Sequence, residues 1–273
     1  MANALTTLAA VKAWGDTITT TNDDVLLTRL ILQASRAIYA YLSTNTLFLQ
    51  IFSDGYDGVN NKRILLTEWP VVSVASVYVC GKLIQEAPAQ PQQGAGWRLD
   101  AYNGVPPGRP QAIDLYGHCF PKGYQNIYIT YSAGYAISSE AHTIPASSPY
   151  TFTANQEYGN WSQDDGVTTS TGTVFTAVSG VPAASQYSVD STTGIYTFNA
   201  ADAGKAMLIN YSYTPADIEQ ACIEMVRERY AYKQRIGQQS KSLSGTETAK
   251  YDLSAMSEYV MMLLQPYKRT NVM

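Results

Sequence analysis

Apolar residues recur every three to four positions in four stretches of the chain and alternate with polar ones through much of the remainder. Leu8, Val11 and Trp14 share one face of a short helix that Thr6 or Thr7 can cap and Gly15 can end. Asn22-Asp23-Asp24 opens a longer helix, with Asn22 as cap and the two acids at the positive end of the dipole. Its stripe is Leu27, Leu30 or Ile31, Ala34, Ile38 and Tyr41. A third helix starts after Tyr213: Thr214 suits the cap, Pro215 the first helical position, and Asp217 the capping-box acid. Its stripe of Ile218, Ala221 or Cys222, Met225 and Val226 carries on to about Arg235. Ser254 can cap a last helix through Leu264, which Pro266 stops.

The alternating stretches predict strands. Phe48 to Phe52 meets Asp54-Gly55 and Asp57-Gly58, which read as turns. Ile64 to Leu66, Val71 to Val79, Ile113 to Gly117 and Ile127 to Tyr131 follow, with Pro88 to Pro107 and Gly237 to Thr248 as loops. Such short strands joined by turns imply antiparallel pairing. Residues 138–213 are Thr-, Ser-, Gly- and Tyr-rich, with strands such as Tyr150 to Thr153 and Ala206 to Tyr213 and turns at Asp165-Gly166, Thr193-Gly194 and Ala203-Gly204. Tyr131-Ser-Ala-Gly-Tyr-Ala136 ends a strand and Thr214 starts a helix, so 138–213 reads as a module inserted between them. The expected fold is α+β: a helical core with an antiparallel sheet in 1–137 and 214–273, and an inserted, sandwich-like all-β domain in 138–213.

Composition narrows the function. The chain has 273 residues, of which 45% are hydrophobic and only 15% charged, against about 25% charged in a typical soluble domain. Few charges and 21 tyrosines suit surfaces covered by partners as well as a β-rich fold. The net charge of -4 argues against broad attraction to nucleic acid. Residues 138–213 carry six acids and one base, Lys205. Cys80, Cys119 and Cys222 make neither a disulfide framework nor a zinc pattern, and no apolar run approaches the ~18 residues of a membrane span.

No residue set points to catalysis, a metal or a cofactor. His118 and Cys119 are adjacent and alternate faces in a strand; His142 stands alone. Asp164-Asp165 with Glu157 lacks calcium-loop spacing. Gly94-Ala-Gly96 lacks a third glycine, and Ser132 lacks the glycine that precedes a nucleophile elbow. Arg227, Arg229, Lys233 and Arg235 cluster on one helix with Lys241 beyond; intrahelical pairing with Glu224 and Glu228 accounts for them, and a partner-facing basic rim is the sharper reading.

Leu5-Thr-Thr-Leu-Ala-Ala-Val-Lys-Ala-Trp14, the Asn22 to Leu42 helix, Leu65 to Val77, Phe120-Pro-Lys-Gly123 and Ile127 to Tyr135 occur in an order that resembles the head-tail connector, or adaptor, proteins of tailed bacteriophages. The likeness resumes at Asp217 to Met225, Arg235 to Leu243 and Leu264 to Arg269. It implies a non-enzymatic virion protein, assembled in the host cytoplasm and sited at the neck. There it would form a homo-oligomeric ring, twelve-fold, between the portal and a tail or nozzle protein, and genomic DNA would pass through its lumen without sequence-specific binding. Tyr267, Lys268, Arg269 and Met273 are then the expected portal-binding residues, and Arg227, Lys233, Arg235 and Lys241 the subunit-interface rim. The rival reading is a virion binding module that takes a glycan or another phage protein through 138–213 and Trp161.

Overall fold

The computed structural model describes residues 4–14, 21–88, 94–100, 105–233, 240–243, 247–250 and 256–269. They form two compact units, one from Met1–Thr46 with Thr214–Thr270 and one from Leu47–Tyr213.

The first unit is helical: α1 (Leu8–Ala13), α2 (Asp24–Leu42), α3 (Ala216–Tyr232) and α4 (Glu258–Leu264), the last followed by a 3-10 turn over Gln265–Tyr267. Leu27, Ile31, Ala34, Ile38 and Leu42 of α2 meet Ile218, Ala221, Cys222, Met225 and Val226 of α3 in its core, as the three-to-four spacing predicts. Thr7 caps α1 by accepting the Ala10 N–H at 3.1 Å. Two caps differ from expectation. Asp23, not Asn22, precedes α2, and its carboxylate makes no cap bond. It accepts the Tyr230 hydroxyl at 2.6 Å and the Lys233 ammonium at 2.8 Å, tying the start of α2 to the end of α3. α3 begins one residue late, at Ala216, because extended Pro215 still belongs to the preceding strand. Ser257 caps α4; Ser254 lies outside the described residues, as does Gly15. Ser240–Leu243 and Glu247–Lys250 pair antiparallel where a loop is expected.

The second unit is all β. β1 (Gln50–Gly58), β7 (Gly123–Ala133), β3 (Val71–Val79) and β4 (Lys82–Ile84) form one antiparallel sheet in that order. β2 (Arg63–Leu65), β6 (Ala112–Tyr116) and β5 (Gly96–Leu99) form another. Val77, Ile127, Ile129 and Tyr131 of the first pack with Trp97, Ile113 and Leu115 of the second. β8 (Ala136–Thr143), β10 (Gly159–Thr169) and β14 (Ala206–Pro215) make a third sheet. β9 (Thr151–Thr153), β11 (Thr176–Ala177), β12 (Gln186–Val189) and β13 (Ile195–Phe198) make a fourth, in which β11 and β12 pair parallel. Phe152, Tyr187, Tyr196 and Phe198 stack between 5.1 and 6.3 Å apart in its core.

The expectation of a helical connector core is corrected here. With Ser240–Leu243 and Glu247–Lys250 as β15 and β16, sixteen strands stand against four helices among the described residues, and the helices make up the smaller unit. The reason lies in the Asp-Gly pairs. Asp54-Gly55 lies inside β1 and Asp165-Gly166 inside β10, so these two stretches that read as turns are strand interiors, while Asp57-Gly58 ends β1 at a register shift. Tertiary partners override the turn preference. Asp54 accepts hydroxyls from Tyr131 at 2.7 Å and Thr67 at 2.7 Å, and the Tyr128 ring covers Gly55. β5 likewise forms within the stretch read as a loop, because Trp97 is buried in the core.

Candidate functional site

The expected portal-binding residues sit where α2 ends and α3 begins. Tyr267 is buried and donates its hydroxyl to Asp217 Oδ2 at 2.8 Å, so Asp217 holds the C-terminal turn instead of capping its own helix. The Arg269 N–H donates to the Leu42 carbonyl at 3.1 Å, and the Arg269 side chain is buried, which pushes its guanidinium down to about 10. Lys268 is exposed and holds its ammonium 4.8 Å from the Tyr41 ring, while Tyr41 donates to Gln265 Oε1 at 3.2 Å. Met273 lies outside the described residues.

The expected basic rim is at the other end of the same helix pair. Lys233 meets Asp23 at the start of α2, and this contact raises the ammonium and lowers the carboxyl. Arg227 is half-buried and Arg229 exposed. Arg235 lies outside the described residues, and of Lys241 the backbone alone is described. The 19 residues of α2 span about 28 Å, so the structure does not bring the two sets together. Sequence reasoning missed the exposed Tyr259 and Met262 beside the C-terminal turn; with Pro266 they fall at i, i+3 and i+7, a helical stripe legible in the sequence.

The polar clusters of the β unit are internal. Asp164 and Asp165 are neighbours on β10 and face opposite ways. Asp164 accepts the hydroxyls of Tyr187 and Tyr196, and Trp161 Nε1–H donates to the Tyr196 hydroxyl at 3.1 Å. Asp165 accepts from Ser212 Oγ at 2.6 Å and Gln163 Nε2 at 2.9 Å. The pair therefore does not converge on a cation. On β8, His142 Nε2 lies 2.6 Å from Glu140 Oε1, its ring stacks on Phe152 at 4.3 Å, and Tyr211 donates to Glu140 Oε2 at 2.8 Å. His118 is exposed. Burial pushes the Cys222 thiol up to about 12, which leaves it a poor nucleophile. Among the described residues, no three His, Cys, Asp or Glu side chains are grouped to hold a metal ion.

Burial, and secondarily the Asp164 charge, raises the Asp165 carboxyl above its ordinary 3.8 despite its two donors. A raised carboxyl favours the fold only while protonated, so its contribution is present below about pH 3.8 and is lost as pH rises through the folded value. Asp165→Asn is therefore expected to gain stability relative to the wild type as pH rises from about 4 to neutrality. Thermal melts at pH 3.5 and 7 check this; a variant whose melting temperature does not rise relative to that of the wild type between the two refutes it.

The comparisons with known proteins come in two parts. No curated protein matches the chain. A family model described as Head completion protein matches residues 161–270, a stretch that takes in β10 to β14 along with α3 and α4. This match supports a phage head-completion or connector family for the chain, a family of structural proteins of the virion.

Proposed function

We propose that the chain forms a homo-oligomeric ring beneath the portal, joins the phage head to the tail, and lines the channel through which DNA leaves. The match over residues 161–270 carries this reading. The charge distribution supports it. Residues 47–213 hold twelve acids and seven bases, net -5, while the remainder holds ten acids and eleven bases, net +1. An acidic β unit lets DNA slide past without sticking.

The C-terminal turn serves as the portal contact in this proposal. Tyr267 and Arg269 anchor the turn to its own helices, and Lys268, Tyr259 and Met262 face outward to the partner. Lys268→Glu is expected to weaken co-sedimentation with portal at least tenfold while stability falls by no more than ~1 kcal/mol, the scale of one exposed cation–π contact. Undiminished co-sedimentation would remove Lys268 from the contact. Electron microscopy of the purified protein mixed with portal tests the ring itself; a strict monomer that ignores portal overturns it.

Residues 138–213 are proposed as an inserted module. Their strands pair in ladders only with one another among the described residues, and the Tyr213 N–H donates to the Tyr135 carbonyl at 2.9 Å, so the two ends of the module lie together. The family match begins within this stretch, at residue 161, and does not mark its boundary. Trp161, the aromatic of the rival binding-module reading, is buried and bonded to Tyr196, and offers no platform to a glycan.

A further inference from the structure

We propose that the outer face of the β1–β7–β3–β4 sheet is the surface through which one copy of this chain contacts a second. The inference rests on the ring reading above and names a surface for it.

Three cross-strand rows make up this face. Gly55, Tyr128, Tyr78 and Leu83 lie side by side across all four strands. Ser53, Thr130 and Ser76 form the next row, and Ile51, Ser132 and Ser73 the third. None of these ten residues is charged. The opposite parity of β7, Ile127, Ile129 and Tyr131, is buried, so the core fixes which face is left outward. Ile51 is 79% exposed, Tyr128 49%, Leu83 48% and Tyr78 40%.

The face is built to lose its water cheaply. The Ser53 and Thr130 hydroxyls are 3.2 Å apart and those of Ser73 and Ser132 2.7 Å apart, so they bond to each other across the strands. Covering them leaves no such hydroxyl orphaned. The Tyr128 ring lies over Gly55, with its edge 3.3 Å from where a Cβ would be, which flattens the row and fills the notch that a glycine leaves. The four large side chains present roughly 500 Å² to solvent, more than half of the ~800 Å² that each partner of a stable complex covers.

Charge selects the occupant. The β unit is acidic, so a second copy can approach only where no carboxylate opposes another. The three rows meet that condition; the acid of the same parity on β1, Asp57, lies beyond them at the strand end, where its carboxylate accepts the Gln125 N–H at 2.7 Å. A cationic partner or a nucleic acid would find nothing to pair with here. In a ring the contact is head-to-tail, so the face meets a different part of the neighbouring copy.

The test places one carboxylate on the face. Thr130→Glu puts it at the centre and Ile51→Glu on the exposed edge strand, where the fold tolerates it most readily. Assembly is followed by sedimentation velocity against protein concentration, with and without portal, and folding by thermal melts. Both variants are expected to need at least tenfold more protein to assemble, and Ile51→Glu to melt as the wild type does. If Thr130→Glu fails to fold, Ile51→Glu decides. A variant that folds and assembles at wild-type concentrations overturns the sheet contact and leaves the ring standing. One that assembles normally but no longer co-sediments with portal assigns the face to another virion protein and also overturns it. A wild type that stays monomeric with portal present overturns the ring reading and this inference with it.

Discussion

Gly134→Ala is expected to abolish the cooperative unfolding transition of the β unit, at a cost of roughly 4 kcal/mol. Gly134 directly follows β7 within the Tyr-Ser-Ala-Gly-Tyr run and has φ +146, a region that L side chains rarely adopt. An added Cβ would lie 2.5 Å from the Phe48 carbonyl carbon and oxygen and 2.6 Å from the Leu49 nitrogen. These are backbone atoms, so no rotamer change relieves the clash. They cannot drift either, because the Gly134 N–H donates to the Pro70 carbonyl and the Tyr135 N–H to the Leu47 carbonyl, both at 2.8 Å. Gly166→Ala is the control: φ is +115 there, but nothing lies within 4 Å of the new methyl. It carries the backbone strain alone, about 1–2 kcal/mol. Urea melts of the two variants separate the effects. Equal losses would mean that the approach of Phe48 contributes nothing.

Asp164→Ala is the second large effect, with an expected loss of about 3–4 kcal/mol from two buried hydroxyls left without an acceptor, at ~1–3 kcal/mol each. Tyr187 and Tyr196 are both buried, and burial raises both phenols well above their ordinary range. Asp164 takes the Tyr187 hydroxyl on one oxygen and the Tyr196 hydroxyl on the other. Tyr187→Phe removes one donor and leaves the carboxylate its other partner, so about 1 kcal/mol is expected. The double variant Asp164→Ala/Tyr187→Phe is expected to lose less than the sum, because one orphaned hydroxyl goes with its ring. Strict additivity in urea melts would show that the three groups do not act as a network.

The helical unit was the more legible half of the chain. Leu27, Ile31, Ala34 and Ile38 on α2, and Ile218, Cys222, Met225 and Val226 on α3, are buried at the spacing read from the sequence. Its ends were less so. Asp23 and Asp217 look like capping acids, yet each is taken by a tyrosine hydroxyl from a distant element, Tyr230 and Tyr267 respectively. Among the expected portal-binding residues, residue type favoured Tyr267 and Arg269 as contacts, while their burial depends on α2 and α3 closing over the C-terminal turn. Tyr259 and Met262 form a stripe that could have been found from spacing alone.

The sequence by itself determined which residues of α2 and α3 are apolar at helical spacing and that much of the remainder alternates as strands. It also carried the resemblance to phage connectors, consistent with the family match over residues 161–270. These signals are local: they depend on neighbours two to four positions away, which the chain order states directly. Tertiary structure alone decided that Asp54-Gly55 and Asp165-Gly166 run on as strand, that Asp164 and Asp165 part to opposite faces, and that Ile51, Tyr128, Tyr78 and Leu83 meet on one uncharged surface. Each outcome turns on a partner tens of residues away. Tyr131 reaches Asp54, Ser212 reaches Asp165, and β7 sets the register of β1 and β3 at once. An Asp-Gly pair prefers a turn in isolation, but that preference is weaker than a ladder of backbone hydrogen bonds with a buried tyrosine behind it.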